Sequence, residues 1–261
     1  MFKGLVAVLF IFFVSPIQAR GSCLEEWQKL VSRPVQAIPK PMWQRVGDLF
    51  EVREIADGLF QVYFFERDML PWTLMRFQEF NDSPQFRGKH FTREEFQKWY
   101  IETKGVWNYL QWNGFNFPSV TFEPFLARKF KKMIPQEKEF LEYFRPWVES
   151  GRKFYVIGSS ARNAAPVNYH EIAHALFYLD SKYRADVQRI LDTLNLQSLK
   201  DMLGLSSFMY HEEVKPDECH AYLLFELETL KHMKVRFSHQ MPAIRKLREL
   251  FIEAVERNEV Q

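Results

Sequence analysis

Cysteine is scarce in this chain: Cys23 and Cys219 are the only two among 261 residues, too few for a disulfide scaffold. Either they pair with each other, or each is an ordinary thiol. Charge of one sign is lacking as well. Thirty-five Lys and Arg face 33 Asp and Glu, for a formal +2, so the balance points neither to nucleic acid nor to an anionic membrane. Beyond Ala19 no apolar run approaches the roughly 20 residues that a membrane-spanning helix needs. Internal repeats, low-complexity tracts and a phosphate-cradling glycine loop are also missing, which removes repeat arrays and P-loop chemistry from consideration.

What is present suffices for a sizeable core: 47% of the residues are hydrophobic and 16% aromatic. Residues 1–19 combine Lys3, an apolar run over 5–14, the breaker Pro16, and Ile17, Gln18 and Ala19 before a cleavage point. This reads as a secretory signal peptide, too short in its apolar part for an uncleaved anchor. Arg20, three places before Cys23, is not the aliphatic residue that lipidation of that cysteine would need. The expected organisation is a signal peptide over 1–19, an aromatic-rich α+β layer over 20–150, and the part carrying the chemistry over 151–261.

Along the chain, Leu24, Trp27, Leu30 and Val31 predict a short helix that leads into a loop at Pro34, Pro39 and Pro41. β-rich runs at 49–55 and 59–65 flank Ala56, Asp57 and Gly58 and predict a hairpin. Thr92 with Glu95 forms a capping box for a helix carrying Phe96, Trp99 and Tyr100. Pro135 opens another helix, through Phe140, Leu141, Phe144 and Trp147. Trp107, Tyr109, Trp112, Phe115 and Phe117 crowd around Asn113 and Gly114; they either pack a core or line a groove for sugars or peptide side chains. A last helix over 242–257 shows Ile244, Leu247, Leu250, Phe251 and Ala254 at core spacing.

One stretch asks for a particular chemistry. His170, Glu171 and His174 form the pattern H-E-x-x-H inside a helix-forming run over 168–180, with Asn168 as N-cap and Leu176, Phe177 and Leu179 continuing an apolar face. Residues four apart lie on one helix face, so the two imidazoles can hold one zinc ion. Glu171, rotated by about 100°, can reach a water held there and serve as general base. The competing reading is an amphipathic helix whose histidines satisfy core hydrogen bonds. A catalytic zinc needs a third protein ligand. The metzincin extension fails, because Asp180 stands where its third histidine would be and Phe177 where its glycine would be. Further on, residues 214–225 read as a second helix with Pro216 near its start. Glu218, Ala221, Tyr222 and Phe225 share one face of it, apolar apart from the glutamate. A carboxylate there needs a partner, and zinc is one.

With these residues the chain resembles the gluzincins, zinc peptidases in which a glutamate from a following helix joins the two histidines of H-E-x-x-H. The resemblance spans roughly residues 153–235. It implies His170, His174 and Glu218 as metal ligands, Glu171 as catalytic base and Zn2+ as cofactor. It also implies an oxyanion-stabilising group, for which Tyr210 and His211 are candidates and Tyr222 another. His220, Glu213 and His211 are rival third ligands. The family often has an aspartate four residues after the ligand glutamate, where this chain has Tyr222; Asp180 and Asp217 are candidates for supporting a histidine instead. His232 and His239 lack a partner pattern. The strand-like run 153–160, followed by a loop over 161–166, falls where such peptidases form the sheet edge along which an extended substrate lies; it reads equally as an ordinary strand.

The fold so implied is α+β and zincin-like: a small mixed sheet packed on the H-E-x-x-H helix and a second ligand-bearing helix, with a mainly helical carboxy-terminal part. The activity implied is that of an exported zinc-dependent hydrolase, periplasmic or secreted. Its first form is a metallopeptidase acting on peptide or protein, and its second a zinc amidase acting on cell-wall peptides. No nucleic acid partner and no membrane span after signal removal are expected. The aromatic groove keeps open a non-enzymatic cell-envelope binding protein.

Overall fold

The computed structural model describes residues 42–112, 114–160, 165–205, 210–237 and 240–260, with the backbone only over 165–168. The signal segment, Cys23, the helix over 23–32 with its proline-rich connection, Asn113, the loop over 161–164 and His239 lie outside these residues. In chain order come β1 (Gln44–Val46), β2 (Phe50–Ala56), β3 (Leu59–Phe64), α1 (Met69–Asp82), α2 (Arg93–Lys104), β4 (Gly114–Pro118), α3 (Glu123–Leu126), α4 (Pro135–Glu149) and β5 (Tyr155–Ser159). Then follow α5 (Ala165–Leu179), α6 (Ser181–Leu191), α7 (Gln197–Leu203), α8 (Lys215–Phe225), α9 (Leu227–His232) and α10 (Met241–Arg257). The molecule is thus mixed α+β. Among the described residues no helix is long and apolar enough to cross a membrane.

Local chemistry sets several of these bounds. Asp57 and Gly58 turn β2 into β3, with Ala56 opposite Leu59 and Gly58 at φ +74°, the left-handed region that glycine enters without a Cβ clash. Thr92 caps α2: its hydroxyl accepts the Glu95 N–H at 3.2 Å while the Glu95 carboxylate accepts the Thr92 N–H at 2.7 Å. The motif helix departs from expectation. It begins at Ala165, so Asn168 lies within it and is not its N-cap; Pro166 in the first turn has the φ a helix start requires and lacks only an N–H that would be unpaired there.

The five strands lie in the order β1-β2-β3-β5-β4, with β3 and β5 parallel and the other neighbours antiparallel. Of the two readings of the strand before the motif helix, the ordinary strand is the one the sheet order shows. β5 is flanked on both sides, and the edge beside that helix is β4.

The sheet separates two layers. On one face Phe117 of β4 stacks on Phe77 of α1, with centroids 5.5 Å apart, and Phe140 and Phe144 of α4 join Phe50 and Phe60. Gly158 admits this layer closely, since a Cβ there would stand 2.4 Å from Leu74 Cδ1. Phe115 and Tyr109 are fully buried, and Trp107 and Trp112 pack against the same core; the aromatic crowd is core, at about 1.5–3 kcal/mol for each buried ring. On the other face lies α5, with Tyr178 beside Tyr155 of β5 at 5.8 Å.

One ion pair ties the aromatic layer together. Arg76 of α1 and Glu137 of α4 are wholly buried and meet at 2.6 and 2.8 Å in a two-pronged bond. Arg76 also donates to the Phe91 and Lys131 carbonyls, and Arg93 of α2 pairs with Glu137 as well. Removing one partner of such a pair strands the other charge in the interior. Glu137→Gln is therefore expected to destabilise the protein by about 3–5 kcal/mol, measured by urea unfolding; a loss below about 1 kcal/mol would show that Arg76 does not depend on it.

Candidate metal centre

His170 and His174 sit one turn apart on α5, so their rings lie side by side on one face, edge to face with centroids 4.9 Å apart. α8 packs against α5, and its first turn delivers Glu218, whose Oε1 stands 3.8 Å from His174 Nε2. One ligand atom from each of His170, His174 and Glu218 falls within 4.8 Å of the others. The three residues form a group that could hold a metal ion.

The surroundings fit a cation. Glu218 is 5% exposed and its Oε2 has no hydrogen-bond partner, a vacancy that costs a buried acceptor about 1–3 kcal/mol. Burial raises its carboxyl well above the usual range; His174 opposes this, while Asp82, Asp217 and Glu171 reinforce it. His174 shows the reverse. Burial alone would lower its pKa, but Asp217, Glu218 and Glu171 raise it to about 10, so without metal it carries a proton. His170 is half-buried and held well below its ordinary value by burial and by His174. It is neutral and ready to ligate.

Asp217, one residue before Glu218, orients the pair. Its Oδ2 lies 3.0 Å from His174 Nδ1, which fixes that proton and leaves Nε2 for the metal. The other oxygen is 3.4 Å from His220 Nδ1, and His220 Nε2 is 2.6 Å from the Tyr183 hydroxyl. His220 therefore has both ring nitrogens engaged and is not a spare ligand. Asp180, the other candidate for histidine support, is a structural cap: it accepts the Tyr183 N–H at 2.9 Å and pairs with Arg257 and Asn258.

Glu171 turns to the sheet. Asn116 of β4 donates its side-chain N–H to Glu171 Oε2 and accepts the Tyr155 hydroxyl on its Oδ1. Burial pushes the Glu171 carboxyl up to about 7, against the pull of His174 and Asn116, which suits a group that exchanges protons near neutrality. Tyr210 is close to Glu218 and Glu171 and hydrogen-bonded to Tyr222, and burial keeps both phenols protonated. The Tyr222 ring stands 5.4 Å from His170. His211 faces its own turn: its ring Nδ1 accepts the Glu213 backbone N–H at 3.2 Å, and its backbone N–H donates to the Asp82 carbonyl. Glu213 pairs with Arg87 at 3.1 Å on the surface. Neither belongs to the metal group among the described residues.

Sequence reasoning missed Asn116 and Tyr155. The one signal for Asn116 was a lone amide between Phe115 and Phe117 in a strand, where alternation sends it to the opposite face. Comparison with protein-family models, curated proteins and solved structures finds no significant match.

Metal ligands must be deprotonated, so uptake at pH 7 is expected to release at least one proton, from His174, and to tighten as pH rises toward about 10. Asp217→Asn should weaken the metal about 10- to 100-fold and reduce the protons released. Calorimetry in buffers of different ionisation enthalpy reads both, and unchanged values would place Asp217 outside the site.

Proposed function

We propose that the protein is an exported zinc-dependent hydrolase and, within that class, a gluzincin-type metallopeptidase. The observation that carries this reading is the convergence of His170, His174 and Glu218 with Glu171 beside them. Two imidazoles and a carboxylate are a catalytic-zinc donor set that leaves one position open. The layout around them supports the zincin-like reading: an antiparallel edge strand runs beside the motif helix, and a second helix brings the glutamate. Export rests on residues 1–19.

A zinc ion bound there supplies Lewis acidity to a substrate carbonyl and to a water molecule. The remaining work falls to the chain. Glu171 takes the proton from the attacking water and returns it to the departing amine, with Asn116 holding the carboxylate in place. Asp217 keeps His174 in the ligating tautomer. Tyr210 and Tyr222, protonated and close to the ligands, are the hydroxyl donors available to a developing oxyanion. An extended substrate has β4 as its pairing edge. There Gln78 already accepts the Asn116 backbone N–H at 2.7 Å, and Pro118 has none to give, so pairing relies mainly on the outward carbonyls of β4.

Glu171→Gln is expected to lower hydrolysis of a random-sequence peptide pool, followed by mass spectrometry, by about 100-fold or more with metal content unchanged. Full activity in that variant would remove Glu171 from the chemistry.

A further inference from the structure

One buried polar side chain stands beside the metal group without a part in it. His220 lies on α8, two residues after Glu218, and is wholly buried. Its ring lies nearly parallel to Phe177 of α5, with centroids 5.4 Å apart at 27°, and meets the Tyr183 ring of α6 edge to face at 5.5 Å. Residues from three helices therefore set its orientation. Packing alone would ask nothing of its nitrogens, yet each has a partner. Nε2 is 2.6 Å from the Tyr183 hydroxyl and Nδ1 is 3.4 Å from Asp217 Oδ1.

The direction of these bonds follows from the chemistry of the groups. A carboxylate only accepts, so the ring nitrogen that faces Asp217 must carry a hydrogen. Burial favours the neutral imidazole, which has a single N–H. That hydrogen is therefore on Nδ1, and the bare Nε2 accepts the Tyr183 O–H. Asp217 thus receives two imidazole N–H groups, from His220 on one oxygen and from His174, at 3.0 Å, on the other.

A carboxylate held by one oxygen turns easily about its last torsion, which has a broad energy profile. A bond on each oxygen fixes that turn. We propose that His220, itself set by the Tyr183 hydroxyl, is a positioning residue: it holds the Asp217 carboxylate in the plane that keeps the hydrogen of His174 on Nδ1 and its Nε2 directed to the metal. The proposal rests on the reading of His170, His174 and Glu218 as a metal group, and it extends the control of that group past Asp217 to α6. The start of α6 is anchored in turn, since Asp180 accepts the Tyr183 N–H and pairs with Arg257 and Asn258 at the end of α10.

The test measures the zinc affinity of the full-length protein by competition with a chromophoric chelator, and the histidine tautomers of the metal-free protein by 1H–15N correlation of the imidazoles. His220 is expected as the Nδ1–H tautomer in the wild type. His220→Leu, which fills the space without a donor, should bind zinc about 10-fold more weakly or worse. His220→Asn, whose amide offers an N–H toward Asp217, should recover most of that loss. Tyr183→Phe keeps the ring and removes only the hydroxyl, so it should fold like the wild type by circular dichroism, bind zinc more weakly and leave His220 as a mixture of tautomers. An Nε2–H tautomer in the wild type would overturn the proposal, as would wild-type zinc affinity in folded His220→Leu or Tyr183→Phe. Equal losses in His220→Leu and His220→Asn would also overturn it and make the ring a packing element. Each of these results leaves the metal group standing, whereas a wild type that takes up no zinc removes the metal reading and the proposal together.

Discussion

Carboxylates resist burial, and around His174 this chain gathers several: Asp217 at 3.0 Å, Glu218 at 3.8 Å, and Glu171 and Asp82 close enough to shift one another. In a low-dielectric site each negative charge penalises the next. The metal-free protein answers by retaining protons, on His174 and Glu218 above all. A divalent cation held there would answer the same problem with its two positive charges and would partner the Glu218 Oε2 that has no hydrogen bond. The packing of α5 against α8, with buried Ala173, Leu176, Ala221 and Leu224 on the two helices, is what holds these groups together.

The aromatic layer supplies the rigidity that such a site needs. The side chains of β4 alternate across the sheet, so Phe115 and Phe117 anchor the strand in the core while Asn116, between them, reaches Glu171. A small movement of the strand would therefore move the proposed base. The buried Arg76–Glu137 pair fixes the layer from behind by joining α1 to α4 and, through Arg93, to α2. On this account the amino-terminal half is the support on which the ligand-bearing half is aligned.

What was legible in the sequence was what local chemistry decides. Asp57 and Gly58 announced the hairpin, Thr92 and Glu95 the start of α2, and the spacing of His170 and His174 a shared helix face. Glu218 was legible because a lone carboxylate on an apolar face demands a partner. Relations between distant segments were not. Asp180 and Asp217 looked alike as supports for a histidine until α8 packed on α5 and brought only Asp217 to His174, leaving Asp180 to cap α6. The strand before the motif helix read equally as an edge and as an ordinary strand, because nothing local shows that β4 returns outside it. Asn116 lies 55 residues before Glu171, a contact that no periodicity encodes.

The most direct test of the account is the metal content of the purified protein by elemental analysis, with His170→Ala and Glu218→Ala beside the wild type. The account predicts about one zinc per chain in the wild type and its loss in both variants, since a missing ligand sharply weakens a site of this kind. A folded wild type that takes up no zinc when it is supplied would contradict it, and zinc retained by Glu218→Ala would remove Glu218 from the ligand set.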